Sequence, residues 1–233
     1  MKRSDQVVLY TLITGLVIIF LMIVAARIIL EQQRRPGYAE KALEIAEKAY
    51  DLRHFDVIRA DGRFTIRVER SDTFAVMLRY PVSLERELEV EQSGSRLYLT
   101  CRRSTGIRAG GARVTIRMPS LREVECHQRS DLRLSGFTLD QLALSVDGSS
   151  EVEAFETAVR DLTLRCTGAA RVNLRHSLVS QANLNVNGAA RLDLRMDGGE
   201  LSGEVSGASI IILYGEANTR RLKTSGAVQI RHR

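Results

Sequence analysis

The chain has 233 residues, 44% of them hydrophobic, with no Trp and few other aromatics, which is enough for one sizeable domain with appendages. Three prolines and 17 glycines argue against a collagen-like or disordered chain. The net charge of +6 raises nucleic acid as a partner, but the surplus sits in residues 1–113 (19 Lys and Arg against 14 Asp and Glu), and no segment joins a basic stripe to interleaved aromatics, so a nucleic-acid binder is not expected.

Residues 1–5 are a short tail with Lys2 and Arg3. Gln6–Ala26 contains no charged residue. At ~1.5 Å per residue such a helix spans the ~30 Å hydrocarbon core of a bilayer. Arg27 is placed to snorkel, so a single-pass transmembrane helix is expected over 6–30. A cleavable signal peptide would have a shorter apolar region, and Ala25-Ala26 before Arg27 is a poor cleavage site. Orientation stays open on charge alone. Arg27, Arg34, Arg35 and Lys41 after the span outnumber Lys2 and Arg3, which favours a cytoplasmic C-terminal domain; a short basic tail before a long apolar run is the usual N-in signal anchor.

Residues 31–54 read as a polar linker with a Pro36-Gly37 turn and then a short juxtamembrane helix over 38–52. Ala42, Ile45, Ala46 and Ala49 would share a face, and Glu44 with Lys48 makes a favourable i,i+4 pair. Such a helix is either a solvated spacer or a partner-binding element near the membrane. From Phe55 the period changes to two. The segments 64–70, 74–80, 87–92 and 96–102 alternate apolar and polar residues between short turns, so 55–113 is expected to be an irregular β lead-in. The basic, Gly-rich stretch 102–113 lacks phosphate-loop spacing and a following helix, and reads as a surface loop.

Over 114–233 the chain repeats itself. "TGAARVNLR" at 167–175 is echoed by "NGAARLDLR" at 187–195, and Gly148, Gly168, Gly188, Gly207 and Gly226 recur every 19–20 residues. Apolar residues precede these glycines by four and two positions, except at Gly203 and Thr224, and follow them by four and, in the first four copies, by six. One earlier copy has Val124 and Cys126, Gln128 in the glycine position, then Leu132 and Leu134. Each copy holds two short strands joined by a turn that suits positive φ. No single copy buries its inward face, but copies stacked ~4.8 Å apart do. About six regular coils of a parallel β-solenoid follow. A leucine-rich repeat has a similar period, but its Asn column and leucine spacing are absent.

The turns "SGAS" (206–209) and "TSGAV" (224–228), with the succession "FDVIRADGRFTIRVERSDTFAVMLRYP", "LEVEQSGSRLYL" and "VTIRMPSLREVECHQRSDLRLSG", resemble the head GIN domain of bacterial autotransporter adhesins over roughly 55–233. The resemblance implies a mainly β fold, a single-stranded right-handed parallel β-helix, on the extracytoplasmic side of the bacterial inner membrane, and hence an N-in span. It assigns no biochemistry. Gln128 and the "GAAR" turns depart from the Ser-Gly-Ser-Gly that the family prefers.

No catalytic, cofactor or metal residue emerges. His54, His127, His176 and His232 lack metal-ligand spacing. Asp131 and Glu151 hold the same turn position one coil apart, where ~5 Å would suit a retaining pair of carboxylates, but Arg171 and Arg191 continue that column. Cys126 and Cys166 share an inward position two coils apart, roughly 9–10 Å and beyond disulfide reach, so both should be buried thiols; Cys101 has no predictable partner. The expectation is a membrane-anchored, non-enzymatic binding or scaffold module of the cell envelope, with a protein partner or self-association and polysaccharide as a further ligand class. The first alternative is an end-to-end polymer like the cytoskeletal bactofilins, whose pattern this one also resembles. Against it, Arg231, His232 and Arg233 look like charge protection of the last strand edge. The second alternative is a polysaccharide-binding or lyase β-helix.

Overall fold

In the computed structural model, residues 44–102 and 111–233 are described. The predicted span 6–30, residues 38–43 of the predicted helix and residues 103–110 of the basic loop lie outside them. Among the described residues, no helix is long and apolar enough to cross a membrane. Glu44 apart, they form one unit, Ile45–Arg233.

That unit is a β-solenoid. Its lead-in strands are β1 (Ile45–Tyr50), β2 (Val57–Gly62), β3 (Phe64–Arg70), β4 (Ala75–Pro81), β5 (Leu88–Ser93), β6 (Arg96–Cys101) and β7 (Ala112–Met118). The repeats supply β8 (Glu123–Gln128), β9 (Asp131–Ser135), β10 (Thr138–Gly148), β11 (Glu151–Gly168), β12 (Arg171–Gly188), β13 (Arg191–Gly207), β14 (Ile210–Gly226) and β15 (Gln229–His232). The long strands bend at corners, as β11 does at Phe155-Glu156, where Glu156 has φ 47° and the register shifts.

The glycine ruler is the stacking register. Val124, Leu144, Leu164, Leu184, Gly203 and Leu222 oppose one another in successive strands, and Leu132, Val152, Val172, Leu192, Ile211 and Ile230 do the same in the second column. Except at the last rung, their apolar members are buried in one continuous core. Each buried Leu or Val contributes roughly 1.5–3 kcal/mol of transfer free energy, so every added rung stabilises its neighbour. The regular stretch makes about five turns, not six, because five register steps lead from Val124 to Leu222 and the last strands do not close another.

The lead-in departs from expectation twice. First, β2 lies in parallel register between β6 and β8, and β3 between β7 and β9. Residues 57–70 are therefore a regular rung, threaded between 96–118 and 123–135, with Gly62 opposite Gln128. The coil of Gln128 is interior to the stack. Second, the predicted helix is not formed over 45–50. Those residues are β1, antiparallel to β4, which in turn is antiparallel to β7. Ala46, Lys48 and Tyr50 oppose the buried Tyr80, Leu78 and Val76, whereas Ile45, meant for the buried helix face, is 59% exposed. Helix propensity differs by only ~0.7 kcal/mol per residue among ordinary residues, and the open edge of β4 offers a full row of backbone partners. Together β1, β4 and β5 close one end of the stack, β5 pairing antiparallel with β6.

Candidate binding surface

The five marked glycines, Gly148, Gly168, Gly188, Gly207 and Gly226, all have positive φ and stand in register at one corner. Gln128 adopts φ 67° at the same place, and its Nε2 donates to Asp61 Oδ1 at 2.6 Å. Two residues further on runs a buried column that sequence reading missed: Ser130, Ser150, Ala170, Ala190 and Ser209. Its hydroxyls donate to turn carbonyls, Ser130 to Gly62 (3.0 Å), Ser150 to Asp147 (3.1 Å) and Ser209 to Gly188 (3.1 Å). These residues hold the corner and face no solvent.

All three cysteines are buried thiols. Val146 separates Cys126 from Cys166 in the stack, and burial, with smaller contributions from Asp131 and Asp147 respectively, pushes both thiols up to about 12. Thiolate chemistry is closed to them at neutral pH.

Asp131 and Glu151 stand opposite each other as predicted. They line a shallow depression of about 180 Å³ with Thr65, Arg133 and Glu153. Arg171 lies 3.6 Å from Glu151, and Arg133 3.2 Å from Glu153. Glu151 and Glu153 are thus each engaged by an arginine on an open face, and the described residues wall no groove around them. The histidines are dispersed. His127 Nδ1 is 2.9 Å from Asp147, which also accepts from the Thr167 hydroxyl; His54 lies beside Phe74. Among the described residues no group of three or more His, Cys, Asp or Glu is placed to hold a metal. At the base of the lead-in, Arg122 donates twice to Asp56 (3.0 and 3.3 Å), and those hydrogen bonds hold the Asp56 carboxyl below the usual carboxylate range.

The face built from Thr138, Ala158 and Leu178, which stand in register in successive strands, carries the apolar feature. Phe155 stacks on His176 with centroids 5.6 Å apart and planes 13° from parallel. Leu178 is 42% exposed beside a trough of about 320 Å³. Small Ala158, between Thr138 and Leu178 in the register, makes the hollow; Arg160, bound to Asp140 and Asp161, edges it. The other exposed large hydrophobics, Ile45, Met77, Val82 and Ile230, lie toward the ends of the stack. The signal for Phe155 was present in the sequence, as an aromatic on the outward side of a corner.

A family model described as "Putative auto-transporter adhesin, head GIN domain" matches residues 54–178, more than half of the chain. The chain belongs to the head GIN domain family. Its match covers the threaded lead-in and the first regular turns, and the remaining rungs of this head GIN domain continue the same register to β15. No curated protein matches the chain. Among solved structures, the domain is similar to one described as a putative adhesin from Bacteroides fragilis NCTC 9343, with TM-score 0.67 and 14% identity over 82% of this chain and 97% of that one. It is also similar to one described as a putative lipid binding protein from Parabacteroides distasonis ATCC 8503, with TM-score 0.50 and 13% identity over 80% and 96%. At such identities the likeness is one of fold.

Proposed function

We propose that this head GIN domain is a non-enzymatic binding or scaffold module of the bacterial envelope, held at the inner membrane by residues 6–30 and carried outside the cytoplasm. The observation that supports it most is the outer surface of the stack. Coils of 19–20 residues leave corners too short to wall a cleft, and the outward carboxylates Glu151 and Glu153 are engaged by arginines. A rigid, nearly smooth prism suits contact better than turnover. The Phe155–His176 stack with Leu178 gives one lateral face an apolar contact point.

The location is tested by cysteine labelling. The native thiols are buried, so a cysteine at exposed Thr138 is the reactive one among the described residues. In spheroplasts, a membrane-impermeant maleimide should label the Thr138→Cys full chain in the membrane fraction. Labelling only after lysis, or recovery of the chain in the soluble fraction, would overturn the placement.

A further inference from the structure

We infer that the solenoid stacks head to tail on a second copy of itself, the end formed by β14 and β15 of one copy seating on the end formed by β1 and β5 of the next. This deepens the scaffold reading and rests on it.

The two ends match in topology. At one, β5 is the outermost strand of the column that contains β6, β2 and β8, and β1 is outermost of the column that contains β4, β7 and β3. At the other, residues 221–226 of β14 end the first column and β15 ends the second. One contact therefore extends both columns at once, giving each outermost strand a partner for a backbone row that pairs with no other strand among the described residues. The core also runs out at both ends. Ala46, Tyr50, Leu88 and Val90 at one, and Leu222 and Val228 at the other, pack against the core but are only partly buried.

Charge then selects the polarity. Glu47, Glu89 and Glu91 stand on the outward sides of β1 and β5; Lys48 is the cation of these strands, and it lies over the Tyr50 ring. Residues 217–233 contain no acid, and Arg221, Lys223 and Arg231 point outward there. The pairs that these groups make within the chain, Arg79–Glu47 and Arg102–Glu89 at one end and Arg221–Glu200 and Lys223–Glu204 at the other, are exposed and weak. Head-to-tail stacking sets Arg221 and Lys223 beside Glu89 and Glu91, and Arg231 beside Glu47. Head-to-head contact would set base on base. The charge that protects the last edge from its own kind thus prepares it for the opposite end, a complement hidden from sequence because the order of the lead-in strands in the stack is not their order in the chain.

The test uses the full chain in detergent micelles, with Glu47→Cys and Arg231→Cys together and a bismaleimide of about 10 Å reach. A ladder of dimers, trimers and longer species is expected. Arg231→Cys alone should stay monomeric, since only base-to-base contact would link it. Placed in the double-cysteine chain, E89K/E91K and R221E/K223E should each abolish the ladder, and mixing the two should restore it, because each supplies the end that the other repels. No ladder from the double-cysteine chain, a ladder from either charge variant alone, or dimers from Arg231→Cys alone would overturn the proposal. Impermeant labelling of Thr138→Cys reads the envelope placement separately, so failure of stacking is distinguishable from failure of the scaffold reading.

Discussion

Gly188 shows how little room a rung leaves at its turn. Its φ is +140°, and a Cβ there would lie 2.3 Å from the Gly168 carbonyl oxygen one rung back. Gly198 also has positive φ, at +99°, but nothing stands within 4 Å of where its Cβ would be. The backbone conformation alone costs a side chain about 1–3 kcal/mol in either place. Gly188→Ala should therefore lose clearly more stability than Gly198→Ala in urea unfolding, and the excess measures the close approach of the rungs; equal losses would mean that φ alone decides. The glycine column was legible in the sequence because one residue type repeats in it. The column beside it was not read, since Ser130, Ser150, Ala170, Ala190 and Ser209 look like ordinary turn residues until the carbonyls they satisfy are in view.

At the scale of elements, periodicity told strands from turns wherever rungs follow one another in the chain, and failed where they do not. Residues 58–68 carry the full signature: Ile58 and Ala60, Gly62, then Ile66 and Val68. They escaped the ruler because 66 residues separate Gly62 from its partner Gln128, and only the fold brings the two together. The segment 45–50 misled for a different reason. Ala, Glu and Lys favour helix when nothing else is available, and the deciding partner, β4, lies 26 to 36 residues away in the register. If β1 is integral to the sheet, Glu47→Pro with Lys48→Pro should break its pairing, because consecutive N–H groups point to opposite sides and one of the two donors is lost from the ladder with β4. Hydrogen exchange should then lose protection across 45–50 and 75–81 while β10–β13 keep theirs. Unchanged protection at 75–81 would show that β1 adds nothing to β4. Removal of 38–52 would therefore uncover the edge of β4 as well as delete any docking element.

For the whole molecule, the order of stacking sets which parts are dispensable. In a solenoid each rung touches only its neighbours, so stability is close to a sum of rung and interface contributions. Trimming at the β15 end removes terms from that sum. A chain ending after Gly207 keeps every register contact from β2 through β13, and it should unfold cooperatively with a lower urea midpoint and an m-value reduced in proportion to the surface lost. Deleting 57–70 is a shorter cut with a larger effect. Those residues stand between β6 and β8 and between β7 and β9, strands that make no register pair with each other. Without them, the layer of Leu97, Leu99, Val114 and Ile116 must lose its cover or slide across to a rung whose turn geometry it was not built to meet. The deletion should therefore abolish cooperative unfolding of β1 and β4–β7, even though it removes fewer residues than the C-terminal truncation. Should the two variants lose stability only in proportion to their length, the threaded rung would be one layer among equals, and the lead-in would fold independently of it.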